Sequence, residues 1–314
     1  PVVRLGYGSF LTPGTVYDYV VETGEFLLRK RQPVLGGYSP DDYAQRREWV
    51  TADDGTRVPV SLVWKRSFGE PGADAVRPVH LYGYGSYEHS IEPGFSVARL
   101  SMLDRGVVMV FAHIRGGGEL GRYWYENGKT LSKKNTFTDF VDAARYLIDS
   151  GWTTPDQMVA EGGSAGGLLM GAVANLAPEL FHGILASVPF VDALNSILDP
   201  SLPLTVTEWD EWGDPLHNAE VYEYMKSYTP YENVTAQPYP PILALASLHD
   251  TRVLFTEAAK WVARLQELST SEHPVLLKTE MSAGHGGVSG RYKKWEEASF
   301  ELAWILQQTG AVTF

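Results

Sequence analysis

Short apolar runs alternate with amphipathic stretches over most of the chain. Pro78 to Tyr82, Val107 to His113, Met158 to Ala160, Gly183 to Val188, Ile242 to Ser247 and Val275 to Thr279 are strand-length and nearly continuous in apolar residues. Such runs suit strands buried on both faces. Thr138 to Ser150, Gly167 to Ala177, Thr256 to Leu268 and Lys294 to Gln308 instead carry apolar residues at helical spacing. Strands and helices alternating from Val58 onward predict a mostly parallel sheet with helices on both faces.

The first fifty residues follow a different pattern. Val16 to Val21 and Phe26 to Lys30 predict two short strands, joined at Glu22-Thr23-Gly24-Glu25 by a hairpin turn. A hairpin this small has no core of its own. The expected division is therefore a β segment over residues 1–50 and an α/β body over 51–314. No repeat of solenoid length and no low-complexity segment interrupts the pattern.

Composition narrows the function. At 314 residues the chain holds one large domain plus an appendage. Its longest apolar stretches, Val107 to Ile114 and Ile242 to Leu248, fall far short of the roughly 20 residues that cross a bilayer, so no membrane association is expected. It opens at Pro1 without a basic-then-apolar leader, so no secretory signal is expected and the cytoplasm is the expected compartment. With no cysteine, disulfides, thiolate metal sites and cysteine nucleophiles are excluded. A net charge of −12 repels phosphate backbones, which argues against nucleic acid and for cationic ligands.

The strongest chemical signal is Gly162-Gly163-Ser164-Ala165-Gly166, a G-x-S-x-G elbow between a predicted strand and a predicted helix. Glycine on either side lets the backbone turn tightly enough to lift the hydroxyl over the sheet. Serine near neutral pH needs a base to take its proton. In this kind of fold the acid and the histidine follow the serine on later loops. Asp250 follows the strand ending at Ser247, and His285 sits in Ser282-Ala283-Gly284-His285-Gly286-Gly287 after the last strand. Other histidines lie in strands or polar loops, and His249 beside Asp250 suits packing. Asp192, Asp199 and Asp214 are rival acids but precede the penultimate crossover helix. Gly116-Gly117-Gly118-Glu119-Leu120-Gly121 also fits a dinucleotide fingerprint. The next predicted helix starts near Thr138, too far to place its N-terminus on a pyrophosphate, so a structural loop is expected and neither cofactor nor metal.

Several segments, in order, resemble the prolyl oligopeptidase family of serine peptidases, and within it the oligopeptidase B branch: Leu81 to Tyr87, Arg115 to Gly121, Gly162 to Gly167, Val188 to Asp192, Tyr222 to Ala236, His249 to Val253 and Ala283 to Gly287. The resemblance spans essentially the whole chain. It implies an α/β-hydrolase fold, with Ser164, Asp250 and His285 as the triad. It further implies an oxyanion hole formed by the Tyr84 hydroxyl and the Ala165 backbone N–H. Substrate contacts are implied for Tyr87, for Arg252 to a backbone carbonyl, and for Glu208 and Asp210 to a basic side chain. Glu92 occupies the place of an acidic group for a second basic residue, but Gly94 stands where a second acid is expected. In that family a β-propeller precedes the hydrolase, so residues 1–50 are expected to be its remnant and a propeller domain or chain its partner.

The implied activity is an endopeptidase that cleaves short basic peptides after arginine or lysine through an acyl-enzyme. An aminoacyl or dipeptidyl exopeptidase, or a carboxylesterase, is the alternative within the fold. A binding module that has lost its chemistry is the alternative outside it, and the intact triad argues against that.

Overall fold

Six parallel strands form the centre of the molecule. In the computed structural model, residues 1–72 and 75–311 are described, and they contain two sheets. Strands β1 (Val2–Tyr7), β2 (Thr15–Val20) and β3 (Glu25–Arg31) make a small antiparallel sheet in that order. The second sheet comprises β4 (Tyr43–Thr51), β5 (Arg57–Lys65), β6 (Val79–Tyr82), β7 (Val108–Ala112), β8 (Met158–Gly163), β9 (Gly183–Ser187), β10 (Ile242–Ser247) and β11 (Val275–Glu280). Its order is β11-β10-β9-β8-β6-β7-β5-β4, and β5 alone runs against the rest, antiparallel to both of its neighbours β7 and β4. The helices are α1 (Val97–Leu103), α2 (Arg122–Glu126), α3 (Lys134–Asp149), α4 (Ala165–Leu176), α5 (Ala193–Leu198), α6 (Thr205–Trp212), α7 (Ala219–Lys226), α8 (Phe255–Leu268) and α9 (Arg291–Thr309).

Successive residues of a strand point to opposite faces, so each buried strand supplies two cores. Met158, Ala160, Ile184, Ala186, Ile242 and Ala244 face the larger core with α3, α4 and α8. Val159, Leu185 and Leu243 face the smaller one with α1 and α9. The six predicted central strands and four crossover helices are all present, displaced at their ends by a few residues. Between β9 and β10 the chain detours through α5, α6 and α7, which the sequence left unassigned.

The N-terminal segment differs from the expected hairpin. A third strand, β1, pairs with β2 although every one of its residues is exposed, so its sequence carries no burial pattern to betray it. Asp18 at the middle of β2 takes Arg4 from β1 at 2.8 Å and Arg29 from β3 at 2.7 Å. The two guanidiniums lower its carboxyl pKa to about 2. Phe10 anchors the segment, stacking on Phe111 of the larger sheet at 4.8 Å. Strand β4 starts at Tyr43 and pairs with β5 along its whole length, so the hydrolase sheet takes in residues on the N-terminal side of the expected boundary at 50. No described helix is long and apolar enough to cross a membrane.

Candidate active site

Ser164 sits between the end of β8 and the start of α4 with φ 58° and ψ −115°. A non-glycine residue in this region costs on the order of 1–3 kcal/mol, so the fold must hold it there. It does so through Ser164 N–H to Ser187 O at 2.8 Å and Phe190 N–H to Ser164 O at 3.1 Å. The flanking glycines allow the close approach: a Cβ on Gly162 would lie 2.3 Å from Gly166 O, and one on Gly166 2.8 Å from Gly83 O.

His285 Nε2 lies 3.1 Å from Ser164 Oγ, and its Nδ1 lies 2.6 Å from Asp250 Oδ2. The other oxygen of Asp250 accepts the N–H groups of Arg252 at 2.8 Å and Val253 at 3.0 Å. Asp250 is buried while His285 keeps one-fifth of its side chain exposed. An ionised, buried carboxylate fixed by two backbone donors would hold Nδ1 protonated and leave Nε2 free to accept the serine proton. The three residues picked out by order along the chain thus meet in one hydrogen-bonded line.

Ser164 opens into a cavity of about 310 Å³ lined by Tyr84, Tyr87, Ala165, Phe190, Leu204, Glu208, Arg252, Val253 and His285. Ala165 begins α4, so no carbonyl within the helix reaches its N–H, which stays available to a ligand. Burial, with Glu211 and Glu208 nearby, raises the Tyr84 pKa, so its phenol stays a hydrogen-bond donor at neutral pH. Glu208 accepts from Trp212 Nε1 at 3.2 Å. Burial raises its pKa, and Glu211 adds to the shift. A cationic guest would relieve both effects.

Asp210 does not join Glu208 in the cavity. Its side chain is 83% exposed and pairs with Lys129 at 3.0 Å. The reason is helical geometry: residues two apart in α6 point to different sides, whereas Glu211, three from Glu208, turns inward. Glu92 is exposed and lines none of the cavity around Ser164. Phe190, Leu204 and Val253 line the cavity without having been singled out, since an apolar wall has no local sequence signal. The glycine loop at 116–121 is followed at once by α2, a helix earlier than expected. Its glycines are needed for packing: a Cβ on Gly116 would lie 2.1 Å from Gly85 O and one on Gly118 2.4 Å from Glu88 O. The loop thus backs the Tyr84 to Tyr87 segment. Among the described residues no group of acids and histidines could hold a metal ion.

Sheet order, the strained serine and the helix that follows it define an α/β-hydrolase fold. A family model described as "Prolyl oligopeptidase family" matches residues 93–312. Protease 2 of Moraxella lacunata is 47% identical over 308 residues, covering 98% of this chain and 44% of that protein. Dipeptidyl aminopeptidase BI of Pseudoxanthomonas mexicana is 46% identical over 312 residues, covering 99% and 42% respectively. Among solved structures, oligopeptidase B from Trypanosoma brucei with covalently bound antipain superposes with a TM-score of 0.94 at 47% identity, over 100% of this chain and 44% of that one. This chain belongs to the prolyl oligopeptidase family. It spans less than half the length of the curated relatives it matches.

Proposed function

We propose that the chain is the catalytic part of a serine peptidase that cleaves peptides after arginine or lysine. The observation that carries this is Glu208, a partly buried carboxylate in the same cavity as Ser164 and Tyr84. A guanidinium or ammonium entering that cavity meets an anion held in a low-dielectric wall, where charge-assisted bonds are each worth roughly 1.5–3 kcal/mol. Ser164 Oγ attacks the carbonyl carbon while His285 Nε2 takes its proton, and the oxyanion forms between Ala165 N–H and Tyr84 O–H. The C–N bond then breaks, His285 gives the proton to the departing amine, and a water molecule repeats the cycle on the acyl-enzyme. Each oxyanion donor contributes about 10²–10³ in kcat. Arg252, exposed and lining the same cavity, is the residue we assign to a substrate carbonyl.

The dipeptidyl aminopeptidase relative favours a second reading, in which an acidic group holds a free α-ammonium instead. A panel of chromogenic substrates with Arg, Lys, Gln or Leu before the scissile bond, each with blocked and free N-termini, separates the two. Arginyl amides with blocked ends should be cleaved, and Glu208→Gln should lower their kcat/KM about 10- to 100-fold while sparing a small activated ester. Cleavage confined to free N-termini, or equal losses on both substrates, would refute the proposal. The exposed three-stranded sheet and the relatives' greater length support a β-propeller as the partner of residues 1–50.

A further inference from the structure

Behind the cavity lies a buried ion pair that the reaction described above does not use. Glu211, on the last turn of α6, is 2% exposed. Its Oε1 accepts the backbone N–H of Tyr87 at 3.1 Å and its Oε2 the Tyr125 hydroxyl at 2.6 Å. Lys133 Nζ is wholly buried, lies 3.7 Å from Glu211 Oε1, and donates to Gly85 O at 2.6 Å and Ser86 Oγ at 2.7 Å. It also rests over the Trp212 ring at 5.0 Å.

These bonds converge on the segment that carries Tyr84 and Tyr87. Tyr87 and Glu88 have φ of 60° and 57°, in the left-handed region where side-chain-bearing residues need outside support. Glu211 grips the segment at the N–H of residue 87, and Lys133 grips it at the carbonyl of residue 85. A buried ion pair contributes little net stability, so its value lies in the backbone atoms it fixes. The same helix also presents Glu208 to the cavity, one turn earlier.

We propose that Glu211 and Lys133 are positioning residues, a clamp that holds the Tyr84–Tyr87 segment against the cavity and couples it to the helix bearing Glu208. The proposal rests on the role given to Tyr84 above. Burial lowers the Lys133 pKa to about 8, so the ammonium depends on these acceptors.

The test uses the complete protein. In Glu211→Gln, kcat should fall about 10- to 100-fold on both an arginyl amide and a neutral activated ester, because an oxyanion donor is misplaced whatever occupies the pocket. In a Tyr84→Phe background the same change should cost less than about threefold, since coupled residues are not additive. A merely structural role would give equal losses in both backgrounds, and that result, or wild-type kcat, overturns the proposal. If the lone buried ammonium prevents folding, Glu211→Gln with Lys133→Met leaves no unpaired charge. That folded double variant should show the same loss on the ester, and wild-type kcat in it is equally fatal. A protein that cleaves the ester without basic preference would overturn the specificity assignment alone. One that cleaves neither substrate overturns both.

Discussion

Replacing Asp250 by Asn tests the line of hydrogen bonds through His285 without emptying the site. Two backbone donors, from Arg252 and Val253, already fix which end of the side chain faces them. The amide oxygen must stay there, so the amide NH₂ is turned towards His285 Nδ1, 2.6 Å away in the wild type. Two donors cannot face each other. Nδ1 therefore gives up its proton, Nε2 takes one, and the nitrogen 3.1 Å from Ser164 Oγ can no longer act as base. A wrong tautomer of this kind costs about 10⁴ in kcat, or ~5.5 kcal/mol of transition-state stabilisation. The fold should lose only about 1 kcal/mol, because both backbone bonds persist in weaker, neutral form. Steady-state hydrolysis of a neutral activated ester, labelling by a fluorophosphonate and thermal melting measure the three quantities. A folded variant within tenfold of wild type would refute the assignment of Asp250, and a loss matched by a collapsed melting temperature would move its role to the fold.

Ser164→Ala should abolish fluorophosphonate labelling and leave no more than a few per cent of hydrolysis with the melting temperature preserved; greater retained activity would show another nucleophile. Glu257, buried on α8 against Asp192 N–H and Ser196 Oγ, has its pKa pushed up to about 8 by burial. A raised carboxyl adds stability that is full below its unfolded value of about 4.5 and is lost as pH climbs through 8. The melting temperature should fall over that window in the wild type and less steeply in Glu257→Gln, and parallel curves would refute the shift.

Local chemistry was legible in the sequence. The elbow at Ser164 depends on Gly162, whose close approach to Gly166 O arises within a few residues, while the approach of Gly166 is to Gly83 O, distant along the chain. The order of Ser164, Asp250 and His285 follows from strands that announce themselves by continuous apolar runs. Strand β1, exposed along its length, and β4, whose apolar ends are interrupted by the charged run Arg46-Arg47-Glu48, show no continuous apolar run, and pairing with their neighbours makes them strands. Helix α6 shows most plainly what only the tertiary structure decides. Glu208, Asp210 and Glu211 are near-identical as residue types, and no composition rule separates them. The orientation of one helix turn sends Glu208 to the cavity, Asp210 to solvent and Lys129, and Glu211 to the back of the Tyr84 loop. The side of a helix a carboxylate occupies is fixed by what the helix packs against, here the Tyr87 segment and Lys133, both of which lie far from α6 along the chain.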